Sequence, residues 1–171
     1  MAVTTVVFDV GETLVDEAAT YARWEAEGRT EGIPFTDQDL HADALECLAD
    51  LRARGLRLGA AGNMYAWHED FLRPHVDFVG SSERWGVEKP GAGFFAHVVE
   101  AAGVPAEEIV YVGDRVDKDV LPALAAGMGT VRIRRGMHAD VESPEGVTTI
   151  ASLAELPGVL ASDKLSQGRL P

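Results

Sequence analysis

Twice in this chain an apolar run breaks off on an aspartate: VVFDVGETL at 6–14 and IVYVGDRVDKD at 109–119. Short β-branched and aromatic runs with no polar alternation are the mark of strands buried on both faces. Between them the apolar period changes. Leu40, Ala44, Cys47, Leu48 and Leu51 fall at i, i+4, i+7, i+8 and i+11, one stripe of a helix. Thr36, Asp37 and Asp39 are expected to cap its start, and Arg52, Arg54 and Gly55 to close its end. A strand, LRLGAAG, then ends at Gly62-Asn63. Phe94, Phe95, Val98, Val99 and Ala102 read as a second helix closed by Gly103, and a third spans about Asp117 to Ala126 before Gly127. The runs Val3–Phe8, 109–114 and TVRI (130–133) complete the strands. Strands alternating with helices require crossover connections. The fold class is therefore α/β: a Rossmann-like, doubly wound, mainly parallel sheet covered on both faces.

In such a sheet, ligands bind beyond the carboxyl ends of the strands. Asp9, Gly62-Asn63 and Asp114 all stand there, which predicts one shared edge. A chain of 171 residues is expected to make a single domain with residues 162–171 as a frayed tail. Fifteen basic against 28 acidic residues give a net charge of −13. That excess argues against nucleic acid and anionic membranes as partners, and obliges any phosphate site to build its own positive field. Cys47 is the only cysteine, which suits a reducing, cytoplasmic setting. MAVTTVVFDV lacks the basic start of a signal peptide, and no apolar run reaches the roughly 20 residues of a bilayer span.

Four positions carry candidate chemistry. Asp9 at a strand end is a nucleophile candidate, because an oriented carboxylate can attack phosphorus or carbon and form an ester. The plain alternative is a turn or capping aspartate. Asp114 and Asp119, with Asp117 between them, crowd one strand-to-helix turn; acids so close repel unless they share a cation, and hard oxygen donors suit Mg²⁺. Asp117 is expected to be a cap or solvated. Lys89, in the Pro/Gly-bounded GVEKPG loop, could offset that repulsion. Gly62 and Asn63 could present backbone N–H groups to an anion. His68 and His75 are expected to be solvated, and Trp24, Trp67 and Trp85 to be core or lid residues.

Taken in order, VVFDVGETL, LRLGAAGN, VEKPGAGFF and VYVGDRVDKDV resemble the four motifs of the haloacid dehalogenase-like (HAD) hydrolase superfamily. The resemblance covers nearly the whole chain outside residues 16–39. It implies Asp9 as nucleophile, Lys89 as the charge-balancing and phosphate-binding lysine, and Asp9, the Gly11 carbonyl, Asp114 and Asp119 as Mg²⁺ ligands. It further implies Gly62 and Asn63 at the phosphoryl group of a phosphorylated substrate. Two departures coincide. Family phosphatases carry an acid/base aspartate where this chain has Gly11, and a serine or threonine where it has Gly62. Loss of a positioned acid/base is worth on the order of 10²–10⁴ in rate. Glu12, adjacent to the gap, is expected to project differently. Gly11 suits substrates with good leaving groups, or a protein that turns over poorly.

Residues 16–39 stand where the family places a cap, and are expected to form a reduced one, with ATYARWEAEG as a short helix carrying Tyr21 and Trp24 over an open site. A large substrate or a second copy of the chain, as a homo-oligomer, would complete it. Three readings stay open: a Mg²⁺-dependent phosphoester hydrolase, a non-catalytic relative that binds phosphate or a protein, and a 2-haloacid dehalogenase, disfavoured by the acid–lysine cluster.

Overall fold

A computed structural model describes residues 2–29 and 33–162; of the expected tail at 162–171, residues 163–171 lie outside the described residues. The elements run β1 (Thr5–Phe8), α1 (Glu17–Ala26), α2 (Ala44–Ala53), β2 (Arg57–Gly62), α3 (Glu69–Leu72), β3 (Phe78–Ser81) and α4 (Ser82–Trp85). They continue α5 (Ala92–Ala102), β4 (Ile109–Gly113), α6 (Leu121–Ala125), β5 (Gly129–Ile133), β6 (Thr148–Ile150) and α7 (Leu156–Ala161). The six strands form one sheet in the order β3-β2-β1-β4-β5-β6, and every neighbouring pair is parallel.

β1 is central, and all four of its side chains are buried. Val6 and Phe8 point into one apolar cluster with Leu48, Leu51 and Leu156; Val7 points into the other with Phe94, Phe95 and Val98. That explains the unbroken apolar run: neither face of the strand meets water. Register does the rest. Phe8 pairs with Ala60 on one side and Val112 on the other, so Asp9, Gly62 and Asp114 emerge together. Asp9 N donates to Val112 O at 2.8 Å, carrying the pairing one residue past the strand.

Three expectations change. Two edge-side strands, β3 and β6, join the four that the apolar pattern predicts. Thr36, Asp37 and Asp39 do not cap α2, which begins at Ala44 with Asp43 at its N-cap. They make their own tight turn, in which Asp39 Oδ2 accepts from Thr36 N and Oγ1 while Oδ1 takes Thr20 Oγ1 and Arg23. The acid was used across the fold, not along the helix. The third helix is split as well: the Arg115 carbonyl accepts from both Asp119 N and Val120 N, opening a wide turn over Val116–Val120 before α6. Among the described residues, no helix is long and apolar enough to cross a membrane.

Candidate active site

Asp9, Asp114 and Asp119 are buried, and each places a carboxylate oxygen within 4.8 Å of the others. Lys89 reaches them from the loop before α5, its Nζ donating to Asp9 Oδ1 at 2.5 Å and to Asp119 Oδ1 at 2.6 Å. The other Asp119 oxygen accepts from Arg115 N at 2.9 Å. Asn63 fixes the lysine from behind: its side-chain oxygen accepts from Lys89 N at 2.8 Å, and its Nδ2 donates to Lys89 O at 3.1 Å. Gly113 is required for this packing, since a Cβ there would sit 2.5 Å from Asp119 Cβ. Gly62 lies against the nucleophile candidate, where a Cβ would fall 3.1 Å from Asp9 Oδ1. Asp117 is turned outward to Arg115 and takes no part.

Three buried acids share one ammonium, and the electrostatics register the excess. Burial, with Asp119 adding and Lys89 opposing, pushes Asp9 up to about 7. Burial, then Asp9 and Asp119, push Asp114 up to about 8. Burial works against the Lys89 charge, but Asp119 and Asp9 outweigh it and hold the group well above the usual lysine value. Only oxygen donors converge here, their charge is undercompensated, and a hard divalent cation such as Mg²⁺ is the group this set fits.

The loop after β1 completes the floor. Glu12 takes a left-handed backbone, φ 56°, and its Oε1 accepts from Ala18 N at 2.9 Å. Asp16 Oδ1 accepts from Ala19 N at 3.0 Å. Both carboxylates therefore cap the first turn of α1, where unpaired amides and the helix dipole favour negative charge. Arg135 holds the same loop from the other side: Nε donates to Glu12 O at 3.0 Å, Nη2 to Thr13 O, and Nη1 to both Asp43 oxygens at 2.9 Å. With the helix start fixed, Glu17 projects over Gly11. Burial, with the Glu12 charge beside it, raises the Glu17 carboxyl above the usual glutamate value. The Tyr21 hydroxyl donates to Glu17 Oε1 at 3.3 Å.

Above these groups opens a cleft of about 820 Å³ lined by Asp9, Gly11, Glu17, Gly62, Asn63, Lys89, Asp114 and Asp119. One wall is aromatic: Tyr21, Phe35, Tyr65 and His68. Two expectations are corrected here. Trp24 does not cover the site; it is buried and stacks on Phe35 at 5.5 Å, leaving Tyr21 at the cleft. His68 is not a solvated residue; it is 7% exposed, sandwiched between Phe35 at 4.3 Å and Trp67 at 3.9 Å. Burial depresses it to about 4, so its ring is neutral. Its partner Phe35 lies 33 positions earlier, and no local spacing could have announced the sandwich. Glu17 escaped notice in the sequence for the same reason: nothing in a helix-start glutamate signals which loop it will lean on.

The profile of the HAD-hydrolase-like family matches residues 87–156. The chain is 42% identical over 127 residues to the glyceraldehyde 3-phosphate phosphatase of Methanocaldococcus jannaschii, covering 70% of this chain and 56% of that protein. It is 43% identical over 109 residues to the Methanopyrus kandleri protein of the same name, covering 60% and 46%. The chain thus spans about half the length of the curated relatives it matches. In fold it superposes on the HAD-hydrolase YfnB of Bacillus subtilis, described as bound to magnesium, with a TM-score of 0.74, 20% identity and coverage of 95% and 100%. Motif order, the parallel sheet with its acids at one edge, and these relatives agree: the chain belongs to the haloacid dehalogenase-like hydrolase superfamily.

Proposed function

We propose that this chain hydrolyses phosphate monoesters of small molecules through a phospho-aspartate on Asp9. The observation that carries the reading is Lys89, buried and bonded to both Asp9 and Asp119 at the floor of the cleft. An ammonium fixed there opposes the repulsion between the acids and an arriving phosphoryl group at no cost in reorganisation. Mg²⁺, held by Asp9, the Gly11 carbonyl, Asp114 and Asp119, would supply the remaining neutralising charge. The Asp9 carboxylate attacks phosphorus, and its bond to Lys89 keeps it oriented. Gly62 and Asn63, at the end of β2, lie beside the phosphoryl position and leave room for a phosphoryl oxygen next to Asp9. Water then hydrolyses the aspartyl phosphate and frees inorganic phosphate. The relatives named glyceraldehyde 3-phosphate phosphatases favour a short phosphorylated carbon compound as substrate. Cys47 is buried, and burial pushes its thiol up to about 12, so no reactive thiolate is presented.

The test is hydrolysis of 4-nitrophenyl phosphate and glyceraldehyde 3-phosphate, with Mg²⁺ or with EDTA. The expected result is metal-dependent turnover that Asp9→Asn abolishes, with a phosphoryl adduct on the parent chain detectable by mass spectrometry. Turnover that survives in Asp9→Asn overturns the reading.

A further inference from the structure

We propose that Glu17 supplies the carboxyl group that residue 11 lacks, acting as the proton donor and acceptor of the hydrolysis. This rests on the phosphatase reading above. The first carbon of any side chain on Gly11 would lie 2.7 Å from Glu17 Cδ and Oε2 and 2.8 Å from Oε1. Atoms do not approach that closely, so the volume that an aspartate at 11 would fill is already filled, and by a carboxylate. The backbone that carries it is held in place. Glu17 is the first residue of α1, whose opening turn is clamped by Glu12 at Ala18 N and Asp16 at Ala19 N. Tyr21, one turn on, donates to the same carboxylate.

Two other glutamates that line the cleft are engaged elsewhere. Glu12 caps α1 and presses on Gly136, where a Cβ would meet its Oε2 at 2.2 Å. Glu83 accepts from Ala66 N at 2.7 Å. Glu17 is the acid against position 11, beside the nucleophile's own loop.

The proton balance closes. In the first half, Asp9 forms the new bond to phosphorus, the bond from phosphorus to the ester oxygen breaks, and protonated Glu17 gives its proton to that oxygen, releasing an alcohol. In the second half, a water oxygen bonds to phosphorus as Glu17 takes a proton from it. The bond from phosphorus to Asp9 breaks, inorganic phosphate leaves, and Glu17 is protonated as it began. No electrons are exchanged with a redox partner.

The experiment compares the parent chain, Asp9→Asn, Glu17→Gln and the double variant Gly11→Asp/Glu17→Ala on an alkyl and an aryl phosphate. Glu17→Gln is expected to lose about 10²–10³-fold in kcat on glyceraldehyde 3-phosphate, within the range of a lost acid/base. On 4-nitrophenyl phosphate, whose leaving group needs little protonation, it should release one burst of nitrophenol and then stall with phosphate retained on Asp9. The double variant, which opens the space and refills it from position 11, should recover most of the lost alkyl-ester activity. Glu17→Gln matching the parent on the alkyl ester, while Asp9→Asn is dead, overturns the role of Glu17 and leaves the phosphatase reading intact. Equal loss on both esters without retained phosphate also overturns it, because that is what a merely structural residue gives. A parent chain inactive on both esters removes the phosphatase reading and this inference together.

Discussion

Lys89→Met tests the electrostatics on which the site depends. The lysine, Asp9 and Asp119 side chains are 5%, 9% and 1% exposed, and the contacts are 2.5 and 2.6 Å, so water screens little of the interaction. Methionine keeps most of the stem and removes the ammonium, which lies 5.9 and 5.8 Å from the Phe94 and Tyr111 ring centroids. Removing one partner of a buried ion pair typically costs about 3–5 kcal/mol, because the other is left uncompensated. Urea unfolding in mildly alkaline buffer with EDTA should show a loss of that size. Mg²⁺ should then restore part of it. A ligand that binds the folded state alone adds about 2.7 kcal/mol at one hundred times its Kd. Parent and variant should both gain, the variant at least as much, because its cluster is one charge more negative. A Lys89→Met loss no larger than the ~0.5 kcal/mol of an inert surface change would refute the compensating role of the ammonium. Curves that Mg²⁺ leaves unmoved in both proteins would refute the carboxylate cluster as a cation site.

Two further outcomes concern stability. His68 has a folded pKa depressed by burial from 6.5 to about 4, so over that window the unfolded chain binds more protons and stability falls as pH drops. The full difference is about 3 kcal/mol at 1.36 kcal/mol per unit; urea midpoints measured across this range should fall more steeply for the parent than for His68→Phe. Arg135→Met removes the fork to Glu12 O, Thr13 O and Asp43 and should cost about 2–4 kcal/mol, since bonds to charged groups contribute about 1.5–3 each. Its thermal midpoint against the parent reads this directly, and an unchanged midpoint would show that the loop is held without it.

What could be read from the sequence followed from burial on both faces. β1 and β4 declare themselves because no residue of either meets water, and a strand of that kind cannot hide a polar alternation. β3 did not, because Phe78 and Val79 are only half-buried and Gly80 and Ser81 break the apolar run. Gly80 is required where Trp85 lies flat on the strand, with Cζ2 only 1.9 Å from a would-be Cβ. Arg132 shows the opposite failure. Within TVRI it reads as a polar interruption, yet it is fully buried and satisfied by the carbonyls of Asp114, His138 and Val141 and by Ser143 Oγ. Its partners lie up to 18 positions away and all but Ser143 Oγ are backbone atoms, which carry no residue identity to read. The Asp9, Lys89, Asp114 and Asp119 assembly was foreseeable from strand ends and motif order. Asn63 as the clamp on the Lys89 backbone was not.

Position 11 shows why motif spelling and active-site content can diverge. Counted along the chain, the acid two residues after Asp9 is gone. Counted in space, a carboxylate stands against that position, delivered from six residues further on by the first turn of α1. The glycine leaves room for this placement, because a side chain at 11 would push the Glu17 carboxylate aside. Glu12 bears part of the strain: it holds a left-handed backbone, costing on the order of 1 kcal/mol or more for a non-glycine residue, and its carboxylate is engaged by Ala18 N. If Glu12 and Glu17 both faced the phosphate, their charges would add to those of three buried aspartates with one lysine to oppose them. Capping the helix with one acid leaves the other, against Gly11, to serve the reaction centre. One such group is what an ester hydrolysis with a proton to move in each direction requires.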